Sequence, residues 1–283
     1  MLEQLRKKAK ELLKNKEVEV IIGYQKSNNN SFTTPCFIES EDGVDRLTWD
    51  EHCVYNLSLY LKEVKGKVGI VAKGCDVKSI VALMQENQID RDRIKIIALE
   101  CQAQVDQEGQ ILEKCRTCQV HIPGMYDELV RSKTSPSKIE SKESDKEYSV
   151  LEELEAKSTP ERWQFWQRQF EKCIRCYACR QVCPLCYCSE CISEKTAPQW
   201  ILPSPSLKGN TTWNIVRAFH LAGRCIDCGE CERVCPVNIP LRRLNKKMEK
   251  EIQTMFNYVP GLDSKKKPPL VDFRVDDPQE FIR

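Results

Sequence analysis

Apolar residues recur at helical spacing at the start of the chain. Leu2, Leu5, Ala9, Leu12 and Leu13 form one stripe among lysines and glutamates, so residues 1–16 are predicted to be an amphipathic helix. The period then changes. Residues 18–24 are β-branched and read as a strand, and residues 32–38, around Pro35 and Cys36, read as a second. Asn28, Asn29, Asn30 and Ser31 make the polar loop between them. Thr48 is followed three positions later by Glu51, the form of a capping box, which predicts a helix from 48 to about 64. Residues 67–72 and 94–99 are short apolar runs, each a candidate buried strand. The segment 77–87 between them is helical in pattern, with Gly74-Cys75-Asp76 as the entering turn and Asp76 as its cap. Buried strands joined by one helix pair in parallel through a right-handed crossover. Residues 1–131 are therefore predicted to be a small α/β domain built on a parallel sheet.

The next stretch is a different material. Residues 132–149 are mostly Ser, Lys and Glu, so 132–159 is predicted to be a charged flexible linker, with a helix over 150–157. Residues 162–172 form an aromatic-rich helix whose Trp163, Phe165, Trp166 and Phe170 are expected to pack into the core of the following domain. That domain spans 160–256 and contains an insertion, 186–224, with a helix over 211–221 and the stretch Pro203-Ser204-Pro205. A charged helix over 239–254 follows, then an extended tail, 257–283, expected to lie along a surface or a partner.

Composition narrows the class. A chain of 283 residues holds two ordinary domains, and 41% hydrophobic with 30% charged residues suits a soluble protein. No apolar run reaches the length that spans a bilayer. The charged N-terminal helix does not read as a signal peptide, so a cytoplasmic location is expected. Seventeen cysteines in a reducing compartment point to metal rather than disulfides. A net charge of +2 shows no nucleic-acid footprint, and Lys265-Lys266-Lys267 reads as solvated surface.

The cysteine spacing carries the chemistry. Cys173-x2-Cys176-x2-Cys179-x3-Cys183-Pro184 is repeated as Cys225-x2-Cys228-x2-Cys231-x3-Cys235-Pro236. This is the spacing of the bacterial two-cluster ferredoxin. There three cysteines of each run hold one [4Fe–4S] cube, and the fourth ligates the other cube. The expected ligand sets are Cys173, Cys176, Cys179 and Cys235 for the first cluster, and Cys225, Cys228, Cys231 and Cys183 for the second. Zinc sites close on cysteine pairs and fit a doubled triplet poorly. The domain at 160–256 is thus expected to be an α+β two-cluster ferredoxin-like domain, with a longer insertion than a minimal ferredoxin needs.

Nine cysteines remain. Cys75 and Cys101 each stand at the carboxyl end of a predicted strand, where α/β folds place their sites, and Cys115-Arg116-Thr117-Cys118 is a CxxC loop beyond the second strand. These four are a candidate nest for a third [4Fe–4S] cluster, with a zinc site or free thiols as the alternatives. Cys186-x-Cys188-x2-Cys191 follows the first run closely and is a source of additional ligands or of structural cysteines. Cys36 and Cys53 read as core or free residues. The turn Gly74, Cys75, Asp76 has a second reading. A glycine turn opening a helix presents amides to an anion, such as a flavin phosphate, against the plain reading of a helix cap. No GxGxxG follows any strand.

Gly74-Cys75-Asp76-Val77-Lys78-Ser79, then Cys101, then Cys115-x2-Cys118 with Pro123 and Tyr126-Asp127, resembles the beta-subunit family of deazaflavin (F420)-linked hydrogenases and formate dehydrogenases. The segment 173–191 resembles the cysteine-rich stretch of the same family, here in the bacterial form joined to a two-[4Fe–4S] ferredoxin module. The resemblance implies a subunit of a complex with heterodisulfide-reductase-like, hydrogenase-like or formate-dehydrogenase-like partners. In full-length members it also implies an FAD that reduces the deazaflavin. Two functions follow. In the first the chain relays single electrons between a partner's redox site and another subunit. In the second it is a flavin-bearing catalytic subunit working on a deazaflavin or nicotinamide-type carrier. His52, His121 and His220 are the only histidines, and none stands beside a second catalytic candidate, which favours the relay.

Overall fold

In a computed structural model, residues 1–27, 32–132 and 147–277 are described. The predicted loop at 28–31, residues 133–146 of the predicted linker and the end of the tail lie outside them. The chain divides into two compact units, Met1–Glu147 with Gly261–Ser264, and Tyr148–Pro260 with Lys265–Arg283.

The first unit is a five-stranded mixed sheet with helices. Its elements are α1 (Leu2–Lys14), β1 (Val20–Lys26), β2 (Thr33–Ile38), β3 (Val68–Ala72), α2 (Gly74–Gln85), β4 (Ile94–Leu99), the short α3 (Glu113–Arg116) and β5 (Glu128–Val130). The strand order is β2-β1-β3-β4-β5. β1 pairs antiparallel with β2, while the β1–β3, β3–β4 and β4–β5 pairs are parallel. Every residue of β3 is buried, which is why its sequence is continuously apolar rather than alternating. α1 contributes Leu5, Ala9, Leu12 and Leu13 to the core, and α2 contributes Val77, Ile80, Val81 and Leu83.

Two expectations for this unit are corrected. Residues 48–64 do not form one α-helix. Thr48 gives its N–H to the Tyr24 carbonyl at 2.8 Å, so it lies in extended backbone against β1 instead of opening a helix. The Asp50 carboxylate then accepts from the His52 N–H at 2.9 Å, and only a 3₁₀ turn, Leu57–Lys62, forms, capped by Asn56 through the Ser58 N–H at 3.2 Å. Short polar side chains satisfied their own backbone locally and so competed with the helix. α2 also begins earlier than expected, at Gly74. Asp76 is its third residue, not its cap, and its carboxylate reaches back to the Lys73 N–H at 2.9 Å.

The second unit contains α4 (Ser149–Glu155), α5 (Thr159–Glu171), α6 (Ala178–Gln181), α7 (Leu207–His220), α8 (Glu230–Arg233) and α9 (Leu241–Phe256). α5 departs from the expected core packing. Phe170 is buried and Trp166 stacks on it with centroids 5.5 Å apart, but Trp163 is 47% exposed. α9 buries a polar stripe, Arg242, Asn245, Lys246 and Glu249, at helical spacing. Hydrophobic periodicity cannot report such a face, because its partners are charges on the cysteine loop described next.

Candidate metal centre

The two cysteine runs fold the same way. The third and fifth residues of each, Arg175 and Tyr177 in one, Asp227 and Gly229 in the other, all take positive φ between 58° and 69°. A short helix follows each, α6 and α8. The fourth cysteine of each run then closes the turn by donating its N–H to a carbonyl three residues back, Cys183 to Arg180 at 3.2 Å and Cys235 to Glu232 at 3.1 Å. Three of the four left-handed positions are not glycine. Such backbone costs on the order of 1 kcal/mol or more per residue and persists only where the surroundings impose it.

Those surroundings are named side chains. Arg242 of α9 forks onto the Asp227 carboxylate at 2.7 and 2.8 Å, and Lys246 adds a contact at 3.2 Å. Arg175 lies over the rings of Tyr177 and Trp213, with its guanidinium carbon 5.3 and 5.7 Å from their centroids. Asn210 of α7 donates to the carbonyls of Phe170 at 3.0 Å and Cys173 at 2.8 Å, tying α5 to the first cysteine. The helix inside the insertion is thus part of the frame that shapes the first run.

The thiols group across the runs. One cavity is lined by Cys225, Cys228 and Cys231 of the second run together with Cys183 of the first, and also by Arg217, Arg242 and Asn245. Cys173, Cys179 and Cys235 pack beside Ile239 and Leu241, with Cys231 in the same cluster. Cys176 is exposed. Amides point at sulfur: Ile239 N–H to Cys235 Sγ at 3.4 Å, and Asn245 Nδ2 to Cys231 Sγ at 3.6 Å. Burial pushes the Cys231 and Cys179 thiols up to about 11, with neighbouring Arg217 opposing it. Burial in a dry pocket makes an unliganded thiolate costly, so these sulfurs suit a cationic iron centre and not free solution.

Arg217 is a residue that spacing did not reveal. It is 6% exposed, its Nη2 donates to the Cys179 carbonyl at 2.9 Å, and its Nε has no acceptor. It lines the second-run cavity and also an adjoining one, of about 50 Å³, that contains Cys186, Cys188 and Cys191 with Arg180 and Arg224. A buried guanidinium with an unused N–H among thiols fits an anionic cluster. Its signal in sequence was only an arginine on an otherwise apolar turn of α7.

In the first unit, the turn Gly74, Cys75, Asp76 is turned inward. Asp76 is fully buried against Lys73 Nζ at 3.0 Å and accepts the Leu57 N–H at 2.8 Å. A Cβ on Gly74 would stand 2.0 Å from the Val120 carbonyl oxygen, so this turn is packed against the chain itself. A cavity of about 330 Å³ lies beyond the end of β4 and is lined by Trp49, Asp50, Glu51, Glu100 and Gln104 among others. Its carboxylates would repel a phosphate. Cys36 and Cys53 are buried thiols pushed up to about 11 and about 12 by that burial.

Residues 172–240 match the family model of the 4Fe-4S dicluster domain, so this part of the chain is an iron–sulfur dicluster module. Across 92% of its length the chain is 24% identical to the F420-dependent formate dehydrogenase subunit beta of Methanocaldococcus jannaschii, covering 91% of that protein. Over 37% of its length it is 32% identical to the F420-dependent formate dehydrogenase 1 subunit beta of Methanococcus maripaludis, covering 26% of that protein. The first alignment runs to 353 positions, more than the 283 residues present here, so part of that subunit has no counterpart in this chain.

Proposed function

We propose that the chain is the iron–sulfur electron-transfer subunit of an oxidoreductase complex, holding one [4Fe–4S] cluster on Cys173, Cys176, Cys179 and Cys235 and another on Cys225, Cys228, Cys231 and Cys183. The observation that supports this most is the cavity in which Cys183 joins the three leading cysteines of the other run. Such clusters supply one-electron redox states, with no bond made or broken in the protein. The chain's own work is then to hold the ligands, exclude water and set the local field. α9 does the first through Asp227, the apolar residues Ile239 and Leu241 do the second, and Arg217 contributes to the third.

The named relatives act in formate dehydrogenases that use F420, so the partners proposed here are redox subunits of that kind, in the cytoplasm. Among the described residues no helix is long and apolar enough to cross a membrane. The acidic lining of the cavity beyond β4 favours the relay over a flavin-bearing catalytic subunit. Anaerobically prepared protein should contain iron and acid-labile sulfide in equal amounts and show magnetically interacting cluster signals when reduced. Zinc without sulfide would end this reading.

Arg217→Leu should lower the reduction potential of the neighbouring cluster by on the order of 100 mV. That is the order of the Coulomb effect, about 2 kcal/mol, of removing one nearby unit charge at an effective dielectric near 20. Arg217→Lys should recover most of the shift. A redox titration followed by electron paramagnetic resonance (EPR) reads it, and unchanged potentials in the leucine variant would remove Arg217 from this role.

A further inference from the structure

Near the end of the described residues the chain carries a pattern that neither core uses. Val271, Phe273 and Val275 alternate with Asp272 and Arg274, the period of a strand with one apolar face. All three are open to solvent, 57%, 81% and 93% exposed, whereas the apolar residues of β3 and β4 are buried. The charged residues between them are already engaged within the segment. Asp272 pairs with Lys267 at 3.4 Å, and the Arg274 guanidinium forks onto the Asp276 carboxylate at 2.7 and 3.0 Å. Residues 272–274 are neither helix nor strand. The root of the segment is fixed. Pro268 is buried, its carbonyl accepts the Val271 N–H at 3.0 Å, and Pro269 Cδ lies 3.8 Å from where a Cβ on Gly223 would stand. Gly223 is two residues before Cys225, so the apolar row leaves the module at the entry to the second cysteine run.

We propose that residues 271–275 dock as an added strand on the open sheet edge of a redox partner subunit, with Val271, Phe273 and Val275 seated in pockets on one face. This rests on the reading of the chain as a subunit of an oxidoreductase complex. Apolar side chains exposed singly need no explanation, but three in one row mark an interaction site. Strand addition takes its affinity from main-chain hydrogen bonds and its specificity from pockets for alternate side chains, and this alternation supplies both. A second copy of the chain is the poorer occupant. The edges of its sheet are β2 and β5. β5 has three residues, too few to pair with five. β2 contains Pro35, which an edge strand tolerates with its missing N–H on the outer side, where an added strand would need it. A different chain must therefore offer the edge, and one held on this segment sits beside the second run.

The test uses the full-length chain, prepared anaerobically, with the formate-dehydrogenase-type catalytic subunit of the same organism as the probe. Wild type should bind it, and hydrogen exchange at 271–275 should slow in the complex, as the amides of an added strand require. Phe273→Asp should weaken binding by about thirtyfold or more, the loss expected of a buried aromatic anchor. Asp272→Asn/Arg274→Gln, on the other face, should stay within about twofold of wild type. Iron and acid-labile sulfide should be the same in all three chains. Wild-type affinity in Phe273→Asp, unchanged exchange at 271–275, or no complex with wild type would overturn the proposal. So would a homodimer of the chain alone that Phe273→Asp dissociates, because the occupant would then be a second copy. Iron lost in Phe273→Asp would overturn it too, by placing the segment in the module's own fold. A wild type without iron or sulfide that still binds through 271–275 would instead end the cluster reading and leave the docking in place.

Discussion

Cys183→Ala should cost the second-run cluster, about four irons, although Cys183 belongs to the first run. The reason is spatial. Cys183 lines its cavity with Cys225, Cys228 and Cys231, while Cys173 and Cys179 pack with Cys235. Double variants separate crossed from uncrossed ligation. Cys183→Ala with Cys228→Ala should lose no more iron than either alone, because both strip one cube. Cys183→Ala with Cys176→Ala should lose about eight, because they strip two. The reverse pattern would mean that each run keeps its own fourth cysteine. One neighbour complicates the single variant. The Cys183 and Cys186 thiols hydrogen-bond; that bond, together with burial, raises Cys183 well above a free thiol, and it lowers Cys186 against the opposing pull of burial. Were Cys186 to substitute as ligand, Cys183→Ala alone would retain that iron, so Cys183→Ala/Cys186→Ala, which should lose about four, is the control. Iron analysis with EPR of the reduced protein reads all four cases.

What could be read from the residues follows from where the physics is local. The strand 94–99 was legible to the residue, and β3 nearly so, because burial on both faces demands an unbroken apolar run. α1 was legible because one apolar stripe faces the core. The doubled cysteine spacing was legible because wrapping a cube fixes the loop length. The helix predicted from Thr48 failed because its capping signal depends on a free N–H, and the Tyr24 carbonyl of β1 had already taken it. The three-residue β5 was missed because so short a strand has no period of its own. Arg217 and the polar face of α9 were invisible for a different reason. A buried charge looks like a surface charge until its partners, here Asp227 and the cysteine loops, are placed beside it.

Asp76→Ala should destabilise the α/β unit by about 3–5 kcal/mol, the cost of leaving a buried charge without its partner. Lys73 is 1% exposed and Asp76 not at all. Burial alone would push the Lys73 amine down. Asp76 and Tyr24 together outweigh that and hold it well above its usual value, so it stays a cation. Its other contacts, the Tyr24 hydroxyl and the Tyr55 carbonyl, supply dipoles but no charge. The variant also strips two backbone donors, Lys73 N–H and Leu57 N–H, of their acceptor. Urea denaturation and hydrogen exchange over β3 and β4 measure the loss. Lys73→Met/Asp76→Leu should recover the part owed to the bare charge and not the part owed to the two amides, because a hydrophobic pair replaces an ion pair well but cannot accept a hydrogen bond. Full recovery would mean that the amides find other acceptors, and a cost under about 1 kcal/mol for Asp76→Ala would mean that water reaches Lys73.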